Sequence, residues 1–516
     1  MPKESAPLIL PLIRSLKKGE KRYFKILQQQ TKNDRDKKFV WLFNYLEEYD
    51  NYDPDKIVKA YPEIKLGQLA NLKTHLIKKL LQSLSQYAQS GNSFISLRET
   101  VNHIQILYEK GLFDHCWKLI RRAKKMARQV ENLEMLLLIL KWERTLLIDI
   151  PGVDNIGRVN DVVIQVEELT RVINNVNKFS NLAIRIHAMI VRSNYVRSRS
   201  EAEAITHLLE SKLPSFNPDT LTFHERLHLY ELNAHYFHFL QQFEESYEYS
   251  QKWVELFDEY PHMINQQIES YVNGLAIIMK NQVRLEMSGP LEKTMEQVEA
   301  IWNTREIGDS LRVKLIKYRF TYKFHKFFLE GNFTVGAKWY RQHEDDFGWA
   351  EERLDMHSKM VLYYQLGSLF FGTEDYRGSL KWLNKIINMP GQNSHEDIIS
   401  FTRILSLICH YELNNLDVID YYIKSTYRLL LQKTDLYEYQ ITILNFLKKL
   451  NIDMTDEELF EAFEDVKNKM QPLVNNEFEK RAFYYFDILS WLESKISNIP
   501  VEQIIRKKFN KKRIIE

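Results

Sequence analysis

The stretch that decides the fold is "YYQLGSLFFGTEDYRGSLKWLNKIINMP", residues 363–390. Apolar residues at helical spacing lead into a short run with a glycine and two acidic residues, 372–375. An aromatic residue, Tyr376, a small residue, Ser379, and a second apolar run through Leu383 follow. Glycine favours the end of a helix, and acidic residues favour the start of the next one. The stretch therefore predicts two helices joined by a tight turn, with the small residue admitting the neighbouring helix.

The same pattern recurs along the chain. The residue that follows each turn is, in order, Phe113, Phe243, Phe333, Tyr376 and Leu416. The separations of these anchors fit a single period of about 43 residues, which is typical of helical repeat proteins. The period places further turns near residues 156, 200, 288, 455 and 500, where the sequence supplies Gly, Pro, Ser or Asn. Each unit is predicted to be a pair of antiparallel helices that buries its apolar face by stacking on the next unit.

One unit carries a family pattern. Leu366–Gly367, Phe370, the turn Glu374–Tyr376, Ser379 and the closing Pro390 resemble a tetratricopeptide repeat. The resemblance implies an all-α, right-handed superhelix, or solenoid, of about ten antiparallel helical hairpins. It also implies that the concave surface binds peptides or protein partners, and it implies no catalytic residues. The period exceeds the 34 residues usual for the family, so the helices or turns should be longer.

Three segments are predicted. Residues 1–90 form a basic helical segment, with 17 Lys and Arg against 10 Asp and Glu. Residues 91–440 form the tetratricopeptide-like array, with the resemblance covering roughly 95–440. Residues 441–516 form further helical hairpins and a basic tail. The whole chain has a net charge of only +2, so it gives no general indication of a polyanionic partner.

The basic N-terminal segment has two interpretations. Within residues 53–84 an Asp-Pro helix start is followed by a break and then by a longer helix. The longer helix carries Lys73, Lys78 and Lys79. This outline is that of a helix-turn-helix module that contacts nucleic acid. The simpler interpretation is a capping hairpin with a solvated basic face.

The stretch "HERLHLYELNAHYFHF", residues 224–239, is the one candidate for chemistry. On a helix its polar residues fall in one stripe: His224, His228, Glu231, His235 and His238. Its H-E-x-x-H spacing is that of zinc peptidases, which makes a metal-dependent hydrolase a lesser alternative. The third-ligand pattern of the metzincin families fails, because Ala234 stands where a histidine is needed. We therefore interpret the stripe as a partner-contacting surface on a groove-lining helix with no bound metal, and keep a non-catalytic metal or ligand site as the alternative.

Other observations limit the function. The two cysteines, Cys116 and Cys409, are too far apart for a disulfide framework, which favours a reducing compartment. We find no nucleotide-binding glycine motif, secretory signal or membrane-length apolar run. The sequence thus predicts a cytoplasmic, non-enzymatic scaffold or adaptor without cofactor, acting on a protein or peptide partner. The alternative is a transcriptional or signalling regulator with a nucleic-acid-contacting N-terminal module. The identity of the partner and the oligomeric state stay open at this stage.

Overall fold

The computed structural model describes most of the chain. The described residues are 9–29, 34–49, 51–89, 93–150, 155–193, 195–196, 198–304, 307–390, 396–415, 421–426, 428, 438–450, 454–476 and 479–515. Across these residues the regular structure is helical throughout and contains no β-strand. The all-α expectation is therefore confirmed. No helix in these ranges combines the length and the apolar character that a bilayer crossing requires.

Contacts divide the chain into two compact units, Met1–Ile173 and Asn174–Glu516. The division falls inside one long helix, α9. The helices up to this point are α1 (Ile9–Ser15), α2 (Lys18–Gln29), α3 (Asp34–Tyr49), α4 (Pro54–Ala60), α5 (Leu69–Gln89), α6 (Ser93–Glu109), α7 (Phe113–Gln129), α8 (Leu133–Asp149) and α9 (Asn155–Ser193).

The first unit contains two successive packing arrangements. Helices α1, α2 and α3 pack with α5 around the buried rings of Phe24, Phe39 and Phe43. Helix α4 begins as predicted, because the Asp53 side chain accepts bonds from two amides of the first turn and Pro54 follows it. Helices α6, α7 and α8 then pack in sequence, each against the next.

The second unit continues with helices that also pack mainly on their neighbours in sequence. They are α10 (Arg199–Lys212), α11 (Phe223–Phe239), α12 (Phe243–Glu259), α13 (Met263–Gln266), α14 (Ile268–Arg284), α15 (Ser288–Thr304), α16 (Asp309–Glu330), α17 (Phe333–Gln342), α18 (Glu344–Glu351), α19 (Met356–Gly372), α20 (Tyr376–Ile387), α21 (Glu396–Glu412), α22 (Glu438–Lys449), α23 (Asp456–Met470), α24 (Ile488–Ser497) and α25 (Val501–Ile515). Short 3-10 turns occupy Leu66–Gln68, Pro218–Thr220, Gln471–Asn475 and Lys480–Tyr484.

The turns follow one backbone plan. A residue with positive φ ends the first helix at Gly111, Glu131, Gln241, Glu286, Gly331, Glu374, Asn414 and Asn498. In each turn the next amide donates to the carbonyl five residues back, as from Asp375 to Phe370, which is the hydrogen bond of a Schellman motif. The turns predicted near 156, 200, 288, 455 and 500 each lie within about one residue of a helix start. The anchor Leu416 lies outside the described residues.

The small residue after the turn also has a recurring contact. The Ser246 hydroxyl donates to the carbonyl of Ala234 at 2.7 Å, and the Ser379 hydroxyl donates to the carbonyl of Gly367 at 2.8 Å. Cys116 makes the equivalent, longer contact of its sulfur with a carbonyl of α6. A small polar side chain at this position lets two helices approach and also satisfies a buried donor.

Two predictions about the helix pairs are wrong. The period places a hairpin between residues 156 and 200, but Asn155–Ser193 is one continuous helix of 39 residues, because no glycine or proline interrupts it after Gly157. Gly372 was expected in the turn, yet it is the last residue of α19, and Glu374 takes the left-handed conformation. Gly372 instead makes room for a ring, since a Cβ there would lie 2.1 Å from Phe333.

Helix α25 packs against α16 and α24. The Glu502 carboxylate accepts bonds from the backbone amide and hydroxyl of Thr334, at the start of α17. Arg506 donates to the carbonyl of Gly331, at 2.9 Å. A Cβ at Gly331 would lie 2.5 Å from the Arg506 nitrogen, so this turn and α25 fit together only with glycine. The last described helix therefore packs against a turn about 170 residues earlier in the chain.

Candidate ligand-binding cavity in the second unit

The second unit contains a cavity of about 1080 Å³. Its walls come from α9, α14, α16, α19 and α25, together with the 3-10 turn Lys480–Tyr484. Ligand-binding clefts commonly have volumes of about 300–1,000 Å³, so this cavity can hold a drug-sized molecule or several side chains of a peptide. Helices that are distant in sequence meet at it, which makes it a candidate ligand-binding site.

Several lysines and arginines line the cavity, and three of them form what we call the cation cluster: Lys280, Arg284 and Lys317. Lys280 and Arg284 lie one turn apart on α14 and therefore share a face, and Lys317 comes from the neighbouring helix α16. All three side chains are half-buried. Among the described residues, no carboxylate lies within ion-pair distance of any of them.

Burial and mutual repulsion alter the protonation of this cluster. Burial, together with the positive charges of Arg284 and Lys317, lowers the pKa of Lys280 to about 7. Burial also lowers the pKa of Lys317, although the carboxylate of Asp355 counteracts this in part. Burial lowers the pKa of His325 to about 3, with further contributions from Arg284 and Lys280. His325 is therefore neutral at physiological pH, and among the described residues that line the cavity, lysine and arginine outnumber aspartate and glutamate.

The guanidinium of Arg284 is held by aromatic residues. Its Nε donates to the Tyr195 hydroxyl at 2.7 Å. Its Cζ lies 4.6 Å from the ring centroid of Tyr484 and 5.7 Å from that of Tyr195. Such contacts fix a guanidinium plane without neutralising its charge. Arg284 is thus oriented at the cavity while it keeps its charge.

The cavity wall also carries unsatisfied polar atoms. Gln365 of α19 is only 4% exposed, and its Nε2 donates to the carbonyl of Thr321 at 3.3 Å. Its Oε1, like the hydroxyl oxygen of Thr321, has no hydrogen-bond partner among the described residues. Buried polar atoms in folded proteins are nearly always paired, so these two atoms indicate a position at which water or a ligand completes the bonding.

None of the five residues of the predicted histidine stripe lines the cavity. They all lie on α11, which packs against α12 and α14 and shares a core with α9 and α10. His224 and His238 are buried, whereas His228, Glu231 and His235 are half-buried. Helix α11 thus packs against several neighbours, and only the middle of the stripe is partly exposed.

Two of these histidines have structural partners. His238 is fully buried, and its Nδ1 lies 2.9 Å from the Asn281 side-chain oxygen. Burial lowers its pKa well below the ordinary value, so it is a neutral core residue. The Nδ1 of His228 lies 3.0 Å from the carboxylate of Glu231. Burial also lowers the pKa of His235, to about 4.

The geometry gives the zinc-hydrolase interpretation no support. Glu225, which would serve as the general base, is fully buried and completes a capping box with Thr222 at the start of α11. Its other oxygen accepts a bond from Asn175 at 2.8 Å. Among the described residues, no three His, Cys, Asp or Glu side chains are arranged to hold a metal ion. The sequence motif here coincides with a helix N-terminus.

The N-terminal lysines lie on α5. Lys78 is exposed, Lys79 is half-buried, and the Lys73 ammonium lies 4.6 Å above the ring centroid of Tyr52. The chain between α4 and α5 spans residues 61–68 and includes a 3-10 turn. Helix-turn-helix modules use a turn of about three to four residues, so this longer connection does not favour a nucleic-acid-reading module.

The sequence reasoning missed the cation cluster. The available signal was "LAIIMKNQVR", residues 275–284, in which Lys280 and Arg284 interrupt an apolar helix at a spacing of four. Two cations on the buried face of a helix are uncommon, because buried charge is costly without a partner. Lys317 could not be assigned to the same site from sequence, since only the packing of α16 on α14 brings it there.

In comparisons with known proteins, no family model and no curated protein matches this chain. The cavity and its residues therefore have to be interpreted from their own chemistry.

Proposed function

We propose that this chain is a non-enzymatic, cytoplasmic binding protein whose second unit captures a segment of a protein partner in the cavity. The observation that carries the proposal is the cavity itself, lined by cations and aromatic rings from several helix pairs. We also propose that the helix pairs form a right-handed, tetratricopeptide-like superhelix. The recurring Schellman turns and the recurring small-residue contact support that architecture.

The lining indicates the kind of segment. Tyrosine and phenylalanine rings, such as Tyr318, Phe328 and Tyr484, offer apolar area for side chains of the partner. The cation cluster attracts negative charge, and electrostatic complementarity of this kind gives a partner its selectivity. A segment that combines acidic and apolar residues fits both features, and a basic segment is excluded by repulsion.

The test is a screen of the purified, full-length protein against a library of short peptides that differ in charge and apolar content. Fluorescence anisotropy then gives the dissociation constant of each peptide that binds. We expect peptides that combine acidic and apolar residues to bind. We expect Lys317→Glu to raise their dissociation constants at least about tenfold, or about 1.4 kcal/mol. Lys338→Glu is the matched control, because Lys338 is an exposed lysine of the same unit outside the cavity. The proposal fails if no peptide binds, or if both variants weaken binding equally.

A further inference from the structure

We propose that the cation cluster is a binding site for a carboxylate or phosphate group, held jointly by Lys280, Arg284 and Lys317. The inference deepens the proposed function and rests on it in one respect: in a protein partner, the anion would be a side chain of the captured segment. The site itself is defined by this chain's residues and can be tested without a partner.

The first argument is the charge balance at the cavity. Lys280 and Arg284 share one face of α14, and Lys317 lies opposite on α16. Like charges that are partly withdrawn from water repel each other, and within the described residues no acidic side chain forms an ion pair with them. An anionic ligand would lower the free-energy cost of desolvation, because it replaces the lost hydration. It would also lower the cost of repulsion, because its negative charge lies between the like charges.

The other charged groups around the cluster do not supply this anion. The Asp355 carboxylate accepts bonds from the amide and the hydroxyl of Ser358, because it caps α19. The nearby cations Lys508 and Lys512 of α25 are paired with Glu493 and Glu286, respectively. The carboxylate of Asp487 caps α24. These carboxylates are thus used in caps and ion pairs. Asp397, the remaining carboxylate of the described lining, forms no ion pair with the cation cluster within the described residues.

Histidines and tyrosines also face the cavity from α9 and α16. His187 of α9 and His325 of α16 both have lowered pKa values, chiefly because of burial and secondarily because of the neighbouring cations. Tyr318 and Tyr322 have raised pKa values, again chiefly from burial. All four groups are therefore neutral near pH 7 and add no negative charge that could compensate the cluster.

The second argument is that polar groups at the cavity are already oriented to bind an anion. Arg284 is fixed through its Nε by the Tyr195 hydroxyl, and in the described structure its two Nη groups make no hydrogen bond. A planar guanidinium held in this way is suited to bidentate binding of a carboxylate or phosphate. The unpaired Oε1 of Gln365 and the unpaired hydroxyl of Thr321 line the same cavity. They can form hydrogen bonds with a protonated oxygen of the ligand or with an ordered water molecule beside it.

The test uses the reactivity of Lys280 in the full-length protein. Trace acetylation followed by peptide mass spectrometry reports the neutral fraction of each lysine, and it is run at about pH 7 with inorganic phosphate, succinate or chloride at equal ionic strength. A bound anion raises the pKa of a neighbouring lysine. A rise of about one unit, from the value of about 7 that burial produces, lowers the neutral fraction and hence the reactivity about fivefold. Lys338, which is exposed, serves as the internal control.

The variant Arg284→Gln distinguishes anion binding at the cation cluster from non-specific effects of the anion on lysine reactivity. It keeps Lys280 but removes the oriented guanidinium, and we expect it to abolish most of the saturable protection by phosphate or succinate. Circular dichroism establishes that the variant is folded, and Lys317→Met provides a second, independent removal of one cation. Protection of Lys280 by neither phosphate nor succinate overturns the proposal, as does equal protection of Lys338 or equal protection in chloride.

The outcomes also distinguish this inference from the proposed function. If acidic peptides bind but no anion protects Lys280, the binding function stands and the anion site is wrong. If phosphate protects Lys280 whereas succinate and the peptides have no effect, the site is a phosphate site for a small molecule and the peptide-binding proposal is wrong. Protection by succinate and by acidic peptides alike supports both.

Discussion

Replacing Lys280 by methionine should make the protein more stable. Methionine keeps most of the aliphatic volume and removes the charge, and the lysine is half-buried beside Arg284 and Lys317. Because burial and these neighbours lower the pKa of Lys280 from 10.5 to about 7, the folded state binds a proton less readily than the unfolded chain. As the pH falls from 10.5 to 7, the unfolded chain takes up this proton and the folded protein does not. The loss of folding stability caused by Lys280 is therefore absent above pH 10.5 and reaches its full size below pH 7.

The magnitude follows from the size of the shift. Each pKa unit corresponds to about 1.4 kcal/mol, so the full difference sets an upper limit of about 5 kcal/mol. Solvent screening of a half-buried ammonium reduces this value, and we expect a gain of about 2 kcal/mol for Lys280→Met near pH 6.5. The gain should shrink steadily at higher pH and nearly vanish near pH 10.5.

The assay is thermal unfolding of the full-length protein, followed by circular dichroism at several pH values between about 6.5 and 9.5 in chloride without phosphate. Lys338→Met is the matched control, since an exposed lysine should change stability by less than about 0.5 kcal/mol at every pH. The reasoning is refuted if Lys280→Met is no more stable than the parent protein near pH 6.5, or if its gain is independent of pH. A stabilised variant that no longer binds acidic peptides would be the expected trade between stability and function.

Three further changes test the packing. Gly331→Ala should cost about 2–3 kcal/mol and raise hydrogen exchange in α25, because its Cβ would lie 2.5 Å from the Arg506 nitrogen at a positive φ; exchange that rises equally in α12 would contradict the local explanation. Trp491→Ala should cost about 3–5 kcal/mol in urea unfolding, because the indole is fully buried and donates to Glu412, and an unchanged midpoint would show that α24 contributes little to the core. Glu225→Ala should lower stability by about 1–3 kcal/mol through lost capping and buried hydrogen bonds, without altering the zinc content; loss of stoichiometric zinc would restore the hydrolase interpretation.

The helix boundaries could be predicted from the sequence because turns obey local chemistry. The period set by a few anchors located turns elsewhere in the chain, including the Thr455 helix start. The residues that take the left-handed conformation were harder to identify, since Glu131, Gln241 and Glu374 occupy positions where glycine is usual. Their strain is offset by the two hydrogen bonds of the turn, so the motif persists while its sequence signature weakens. The long helix α9 was missed because the 43-residue period predicted a hairpin there, although no glycine or proline follows Gly157 within the helix.

The site was less predictable than the fold. The histidine stripe was a sound helical pattern, but the sequence could not show that α11 is covered by its neighbours. Residues such as His238 therefore serve packing instead of binding. The cation cluster depends on which faces of α14 and α16 meet, and this long-range information is carried by the whole second unit. The local sequence signal for the cluster was a lysine and an arginine, Lys280 and Arg284, on one face of an otherwise apolar helix.

The position of α25 has a consequence for how the protein is made. Helix α25 contributes Val501, Ile505 and Lys508 to the wall of the cavity. It also contacts the turn at Gly331, which the ribosome synthesises much earlier than α25. During synthesis the helices α14, α16 and α19 leave the ribosome well before α25 does, at rates of about 5–20 residues per second. For several seconds the nascent chain therefore exposes an incomplete cavity, with its cations and aromatic rings open on one side. Premature capture of a partner is disfavoured in this interval, because one wall of the pocket has not yet been translated.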